Sequence, residues 1–424
     1  MHPDLLAYGK CNVSVKKVIN FPHLSRMLTA YLISEISNFI FEFFINFRQY
    51  IYLNTFPNEL KSYYKEEDYT KNRKYKQELT RLNLVQDSTT IFFDIYLFTR
   101  YDDIYNYYRF ASPLLQAIVF LLTTFALHFV VKLPFDYYKH FNIEKSYGFN
   151  KMTFGLYVKD KIKWSIIGSL LFSVFLAGLS FVIHINVFVI WAALVSFQVL
   201  VLLIGPHIMA IFNKFEVCKD ELKAKISKMC KKVGYPLGGV YTMDQGQRSS
   251  HSNAFMYGLF TKYIVLFDTL LKQLNDNEIV AVLNHELGHW SYSHIPKLVA
   301  HQCAWYLLIC VSYPWFVNYA EGASNTYLAN DLIKFVIYFQ LLGPLTQLMS
   351  ISQHALTRLF EYQADKFAFE HGYGMELQSA LDKLQRENLG VYSDWVYALT
   401  KESHPRVLER LTVLKELMSE KKVD

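Results

Sequence analysis

Charge is scarce in this chain. Of 424 residues only 19% are Asp, Glu, Lys or Arg, while 52% are hydrophobic, and the mean hydropathy is +0.11. That balance argues against a set of soluble domains and for a membrane protein. Cysteine is scarce too. Cys11, Cys218, Cys230, Cys303 and Cys310 are scattered and form no CxxC pair. Their spacing argues against a disulfide framework and against a thiolate metal site. Residues 1–26 lack an apolar core followed by small residues, so the sequence predicts no cleaved signal peptide there. A net charge of +6 is too small to suggest a nucleic-acid partner.

What is abundant is aromatic and aliphatic. The chain holds 31 Tyr and 34 Phe, and apolar stretches near 20 residues recur. Six of them read as transmembrane helices, at roughly 27–47, 111–131, 164–185, 187–212, 298–320 and 331–352. A seventh, 89–110, is interrupted by Arg100, Asp102, Asp103 and Arg109. Lys and Arg crowd the segments 49–88, 132–163 and 213–297, which the positive-inside rule places in the cytosol. Holding the first two on the same side requires an even number of crossings between them. This makes 89–110 a span and leaves the C-terminus cytosolic. Glu35, Glu42 and Asp94 fall inside spans, where carboxylates face a bundle interior or a watery cavity.

Chemistry gathers just before the sixth span. Asn275-Asp276-Asn277-Glu278 has the capping-box pattern and opens a stretch of helical period ending Asn284-His285-Glu286-Leu287-Gly288-His289. His285 and His289 are four apart, so both imidazoles share one helix face and can hold one metal ion. Glu286 lies one position along, where it can serve as a base without coordinating. A third ligand is needed. Glu361 and Asp365, again four apart, follow the last span as its helical continuation. One can ligate and the other can orient a ligand histidine through its second nitrogen. Upstream, 239–243 and 263–267 read as strands, giving a small sheet whose edge could accept an extended peptide.

These motifs resemble the CAAX prenyl protease 1 family, integral membrane zinc metalloproteases. The resemblance rests on Phe47-Arg48-Gln49-Tyr50, Lys132-Leu133-Pro134-Phe135, Gly148-Phe149-Asn150-Lys151, Arg248-Ser249-Ser250-His251-Ser252-Asn253-Ala254, His285-Glu286-Leu287-Gly288-His289, Phe360-Glu361-Tyr362-Gln363-Ala364-Asp365 and Ser403-His404-Pro405, in the family's order. It implies a mainly α, integral membrane fold. Seven transmembrane helices would form an α-barrel around a hydrated chamber, capped by a cytosolic zinc metalloprotease domain with a small β-sheet. The corresponding division is an N-terminal segment 1–26, spans one to five in 27–212, the protease domain in 213–297, spans six and seven in 298–352, and the rest of the protease domain in 353–424.

Carried over by motif, His285, His289 and Glu361 bind one Zn2+, Glu286 is the base and Asp365 supports a ligand. Asn253 and Ala254 mark the substrate strand. His404 and Arg410 line the cleft and touch the peptide or the developing oxyanion. The implied reaction removes the last three residues of an isoprenylated protein or peptide ending in Cys-aliphatic-aliphatic-X, with lipid as the surrounding partner and no nucleic acid. Lys421-Lys422-Val423-Asp424 fits a dilysine retrieval signal. That suggests the endoplasmic reticulum membrane, with the inner nuclear membrane as a second address, although an ordinary charged tail accounts for it equally well. Two rivals stand: a heat-shock-type quality-control zinc protease, and an idle membrane scaffold.

Overall fold

The computed structural model describes residues 26–258 and 260–420. The dilysine tail and all but the last residue of the N-terminal segment lie outside them. The described chain is helical with one small sheet. Long helices come first: α1 (Arg26–Tyr52), α2 (Glu66–Thr99), the short α3 (Tyr101–Tyr107), α4 (Pro113–Tyr138), α5 (Phe154–Val182) and α6 (Val187–Phe212). A π-helical segment, Lys139–Glu144, extends α4. Next come β1 (Phe215–Val217), α7 (Asp220–Val233), β2 (Leu237–Met243), β3 (Ala254–Tyr257), β4 (Lys262–Phe267), the single turn α8 (Leu270–Gln273) and α9 (Asp276–Ser291). The chain closes with α10 (His294–Ala320), α11 (Asp331–Leu341), α12 (Gly343–Glu370), α13 (Gly374–Glu387), α14 (Trp395–Lys401) and α15 (Val407–Glu420).

Five of these helices are long and apolar enough to cross a membrane: α1, α4 with its π extension, α5, α6 and α10. A sixth span results if α11 and α12 count as one, bent by 61° at Leu342. This corrects two expectations. The stretch 331–352 is broken rather than straight. The stretch 49–88 is mostly helix rather than loop, since α2 starts at Glu66 and runs unbroken to Thr99. Glu, Lys, Arg and Gln are strong helix formers, so the charge that marks this stretch as cytosolic does not interrupt the helix. At 34 residues α2 is about 50 Å long. Its polar first half and more apolar second half do not make a uniform span, and 89–110 divides between α2 and α3. Asp94 meets His128 of α4 at 2.7 Å, so this intramembrane carboxylate is partnered inside the helix cluster.

The helices also expose what soluble folds hide. Ile166, Leu170, Phe181 and Leu202 stand on the outside of α5 and α6. Apolar side chains facing outward on long helices are a lipid-facing surface. The two largest cores lie within. One joins Tyr31, Phe98, Tyr101, Phe120, Tyr327 and Phe335 among the long helices. The other packs Ile226, Val240, Ile264, Leu283 and Leu287 between the sheet and α9. The sheet order is β1-β2-β4-β3, with β2 and β4 parallel and the outer pairs antiparallel.

Candidate metalloprotease site

The site is built by α9 and α12 lying against each other. The Asn275 side chain caps α9 by accepting from the amides of Asn277 and Glu278. The Glu278 carboxylate in turn accepts from the Asn275 amide, completing the capping box. One face of α9 is sealed by Ile279, Val280, Leu283 and Leu287, which turns His285 and His289 toward α12. The approach depends on Gly288. A Cβ there would stand 2.9 Å from Ala364 Cα and 3.0 Å from Phe367 Cβ.

Between the helices, His285 Nε2 and His289 Nε2 are 3.1 Å apart. Glu361 of α12 reaches both, its oxygens 3.5 Å from His285 Nε2 and 3.2 Å from His289 Nε2. His285, His289 and Glu361 form the group among the described residues able to hold a metal ion, with all their donor atoms within 4.8 Å of one another. Two imidazoles and one carboxylate are the donor set of a catalytic metal site with an open position, so the residues fit a divalent cation.

Around this centre the charges interlock. His285 Nδ1 lies 2.9 Å from Asp365, whose carboxylate also accepts from Arg410 at 2.8 and 2.6 Å. Arg410 Nη1 is 3.2 Å from Glu361. Burial alone would depress the pKa of His285. The Asp365 and Glu361 carboxylates overcome it and raise the value to about 9. A cation held between the imidazoles would take the place of that proton. Burial would likewise raise Asp365, yet the Arg410 guanidinium holds it below the usual carboxylate range. For Glu361 too, the three facing histidines outweigh burial and hold the carboxyl low.

His404 and Arg410 both meet the same Glu361 oxygen, Oε2, but differ in exposure. His404 stands on the exposed rim, its Nδ1 2.9 Å from Glu361. Arg410, expected to line the cleft, is largely buried. It is only 6% exposed and sits beneath Glu361, because two buried carboxylates need a buried counter-charge. Asn253 immediately precedes β3, and Ala254 opens it. The Asn253 carbonyl accepts from the Phe267 amide at 3.0 Å, and its side chain accepts from the Ala254 amide at 2.8 Å. β3 pairs only with β4, so its outer edge has no strand partner among the described residues.

Composition alone reads turns at β3, where glycine, serine and asparagine cluster, and only the resemblance marks a strand there through Asn253 and Ala254. One residue was missed in the sequence altogether. His294, five residues beyond His289, lies 2.9 Å from it; an unexplained third histidine after HExxH was the available signal.

The comparisons with known proteins cover both halves of the chain. Residues 217–418 match the model of peptidase family M48. Residues 47–214 match the CAAX prenyl protease N-terminal model, described as five membrane helices. The chain is 32% identical over 406 residues to the CAAX prenyl protease 1 homolog of Arabidopsis thaliana, covering 89% of this chain and 94% of that one. It is 32% identical to the CAAX prenyl protease 1 of Saccharomyces cerevisiae over 458 residues, covering 96% and 99%. The crystal structure of S. mikatae Ste24p superposes with a TM-score of 0.83 at 31% identity, covering 93% of this chain and all of that one. With a cluster on α9 and α12 able to hold a metal, and family models matching residues 47–214 and 217–418, this chain belongs to the CAAX prenyl protease 1 family, as a multi-pass membrane metalloprotease.

Proposed function

We propose that this protein is a zinc-dependent endoprotease that removes the last three residues from isoprenylated proteins or peptides ending in Cys-aliphatic-aliphatic-X, with a further upstream cleavage as an additional reaction. The observation that carries the reading is the His285–His289–Glu361 cluster in a chain whose first half matches the CAAX prenyl protease membrane helices. That half is also what separates it from a heat-shock-type protease.

His285, His289 and Glu361 would hold the zinc ion. When bound, zinc supplies Lewis acidity toward the scissile carbonyl and the attacking water. Glu286, half-buried beside the ligands, takes a proton from that water and returns it to the leaving amine. His404, on the rim, donates to the carbonyl oxygen as charge develops there. The open edge of β3, entered through Asn253 and Ala254, aligns the peptide by main-chain hydrogen bonds. Arg410 and Asp365 act below, holding Glu361 and His285 in place.

The membrane setting suits a lipidated substrate, whose isoprenoid partitions into lipid while its peptide needs water. A seven-helix barrel around a hydrated chamber provides for both. A cavity of about 360 Å³ beside α1, α12 and α14, lined by Asn38, Glu42, Gln347 and Lys401 together with Phe41 and Ile351, supports that reading. The location we propose is the endoplasmic reticulum or inner nuclear membrane, with the C-terminus in the cytosol.

The test is incubation of the purified protein with farnesylated and unmodified CAAX peptides, with and without a chelator. The farnesylated peptide should release its C-terminal tripeptide, and zinc should restore activity lost to chelation. Equal cleavage of both peptides would favour the quality-control reading. A protein that takes up no zinc would favour the scaffold.

A further inference from the structure

His289 reaches the metal position through Nε2. That atom lies 3.1 Å from His285 Nε2 and 3.2 Å from Glu361 Oε1. For a neutral imidazole to offer the Nε2 lone pair, its proton must sit on Nδ1. His289 Nδ1 is 2.9 Å from His294 Nδ1, so one of these two nitrogens donates and the other accepts. The requirement at Nε2 decides which. His289 Nδ1–H donates, and His294 Nδ1 accepts. The proton of His294 then sits on its Nε2, which is 2.9 Å from Gln363 Oε1. An amide oxygen can only accept. The two ends of the chain therefore demand the same arrangement. The reverse arrangement puts the His289 proton on Nε2, against the carboxylate that should share a cation with it. It also sets the His294 Nε2 lone pair against the Gln363 oxygen.

The placement of His294 is built. The residue is 1% exposed and stacks flat on Phe360 at 4.1 Å. It starts α10 directly after Ser293, whose φ of +54° makes the turn that carries the chain from α9 back over the site. Phe360 and Gln363 flank Glu361 on α12, so the helix that supplies the third ligand also supplies both supports of His294.

We propose that Gln363 and His294 form a two-link relay that sets the tautomer and ring orientation of His289, making His294 a positioning residue for the metal site. The inference rests on the reading that His285, His289 and Glu361 hold zinc. The two ligand histidines then differ: His285 leans on the charged Asp365, and His289 on a neutral imidazole. Partners of this kind are worth about 10–100-fold in metal affinity.

The experiment is chelator competition on the full-length, detergent-solubilised protein, giving the equilibrium zinc affinity of each variant independently of turnover. His294→Leu should weaken zinc binding about 10–100-fold. His294→Asn, whose side-chain oxygen can accept near the place of Nδ1, should recover most of the loss, which a merely space-filling role would not produce. Gln363→Leu keeps the ring but removes its acceptor, and should weaken binding by roughly 10-fold. Wild-type affinity in His294→Leu, or His294→Asn binding as poorly as His294→Leu, would overturn the relay. Should His294→Leu not fold, unchanged affinity in Gln363→Leu overturns it alone. Wild-type protein that binds no zinc would instead sink the metal-site reading on which the relay stands.

Discussion

Glu286 and Arg410 are both charged and both close to the metal ligands, yet their surroundings give them different work. Glu286 coordinates nothing in the His–His–Glu group and is half-buried beside it. Replacing its carboxylate with an amide preserves shape and removes basicity. Glu286→Gln should therefore keep zinc at one ion per chain and lose at least ~10²-fold in cleavage rate. Metal analysis and a peptide assay on one preparation check both halves, and full activity would remove Glu286 as the base. Arg410 is a buried counter-ion to Asp365 and Glu361. Arg410→Leu strands those carboxylates and should cost about 3–5 kcal/mol of stability. A second substitution, Asp365→Leu, should recover part of it. Thermal unfolding of the single and double variants measures the coupling, and simple additivity would deny the pair its role.

At the scale of elements, the distance between α9 and α12 decides whether two histidines and a glutamate form one site. Gly288 sets that distance, with Ala364 Cα as the opposing surface. Helix propensity alone slightly favours almost any residue over glycine here. Packing argues the other way and is the larger effect. Gly288→Val should destabilise the protein by about 1–3 kcal/mol and reduce zinc occupancy, because α12 must withdraw and take Glu361 with it. Zinc content together with the melting temperature checks this. A variant as stable and as metal-loaded as wild type would show that the helices can give.

Across the whole molecule, the loop that leads into β3 is fastened to the membrane helices. Arg248 binds Asp160 of α5 at 2.7 Å and the Phe212 carbonyl of α6 at 2.6 Å. His251 stacks on Phe149 at 4.2 Å and meets Glu144, at the end of α4's π extension, at 3.5 Å. That carboxylate raises the pKa of His251 above its ordinary value despite partial burial. A raised histidine pKa contributes stability that is present below the unfolded value and lost as pH climbs through the folded one. The stability advantage of wild type over His251→Gln should thus be largest below the ordinary histidine value of about 6.5 and fade as the pH rises above it. Melting curves of both proteins on both sides of that value would show it, and a gap that widens with pH would refute the clamp.

The local chemistry was written in short stretches of residues. The capping box at Asn275, the i, i+4 histidines and the i, i+4 pair Glu361 and Asp365 each follow from the geometry of one helix, and α6 runs over the predicted 187–212. Such features depend only on neighbours in the chain, so periodicity reveals them. Three matters needed the tertiary structure. Hydropathy could not show that α2 begins at Glu66 or that α11 and α12 bend at Leu342, because helix formers and apolar residues continue through both places. Exposure could not be read for Arg410, whose burial comes from carboxylates 45 and 49 residues away in the chain. His294 is the third. Its part depends on Phe360 and Gln363 arriving from another helix, and no pattern along α9 and α10 records which atoms an approaching helix will place against a ring nitrogen.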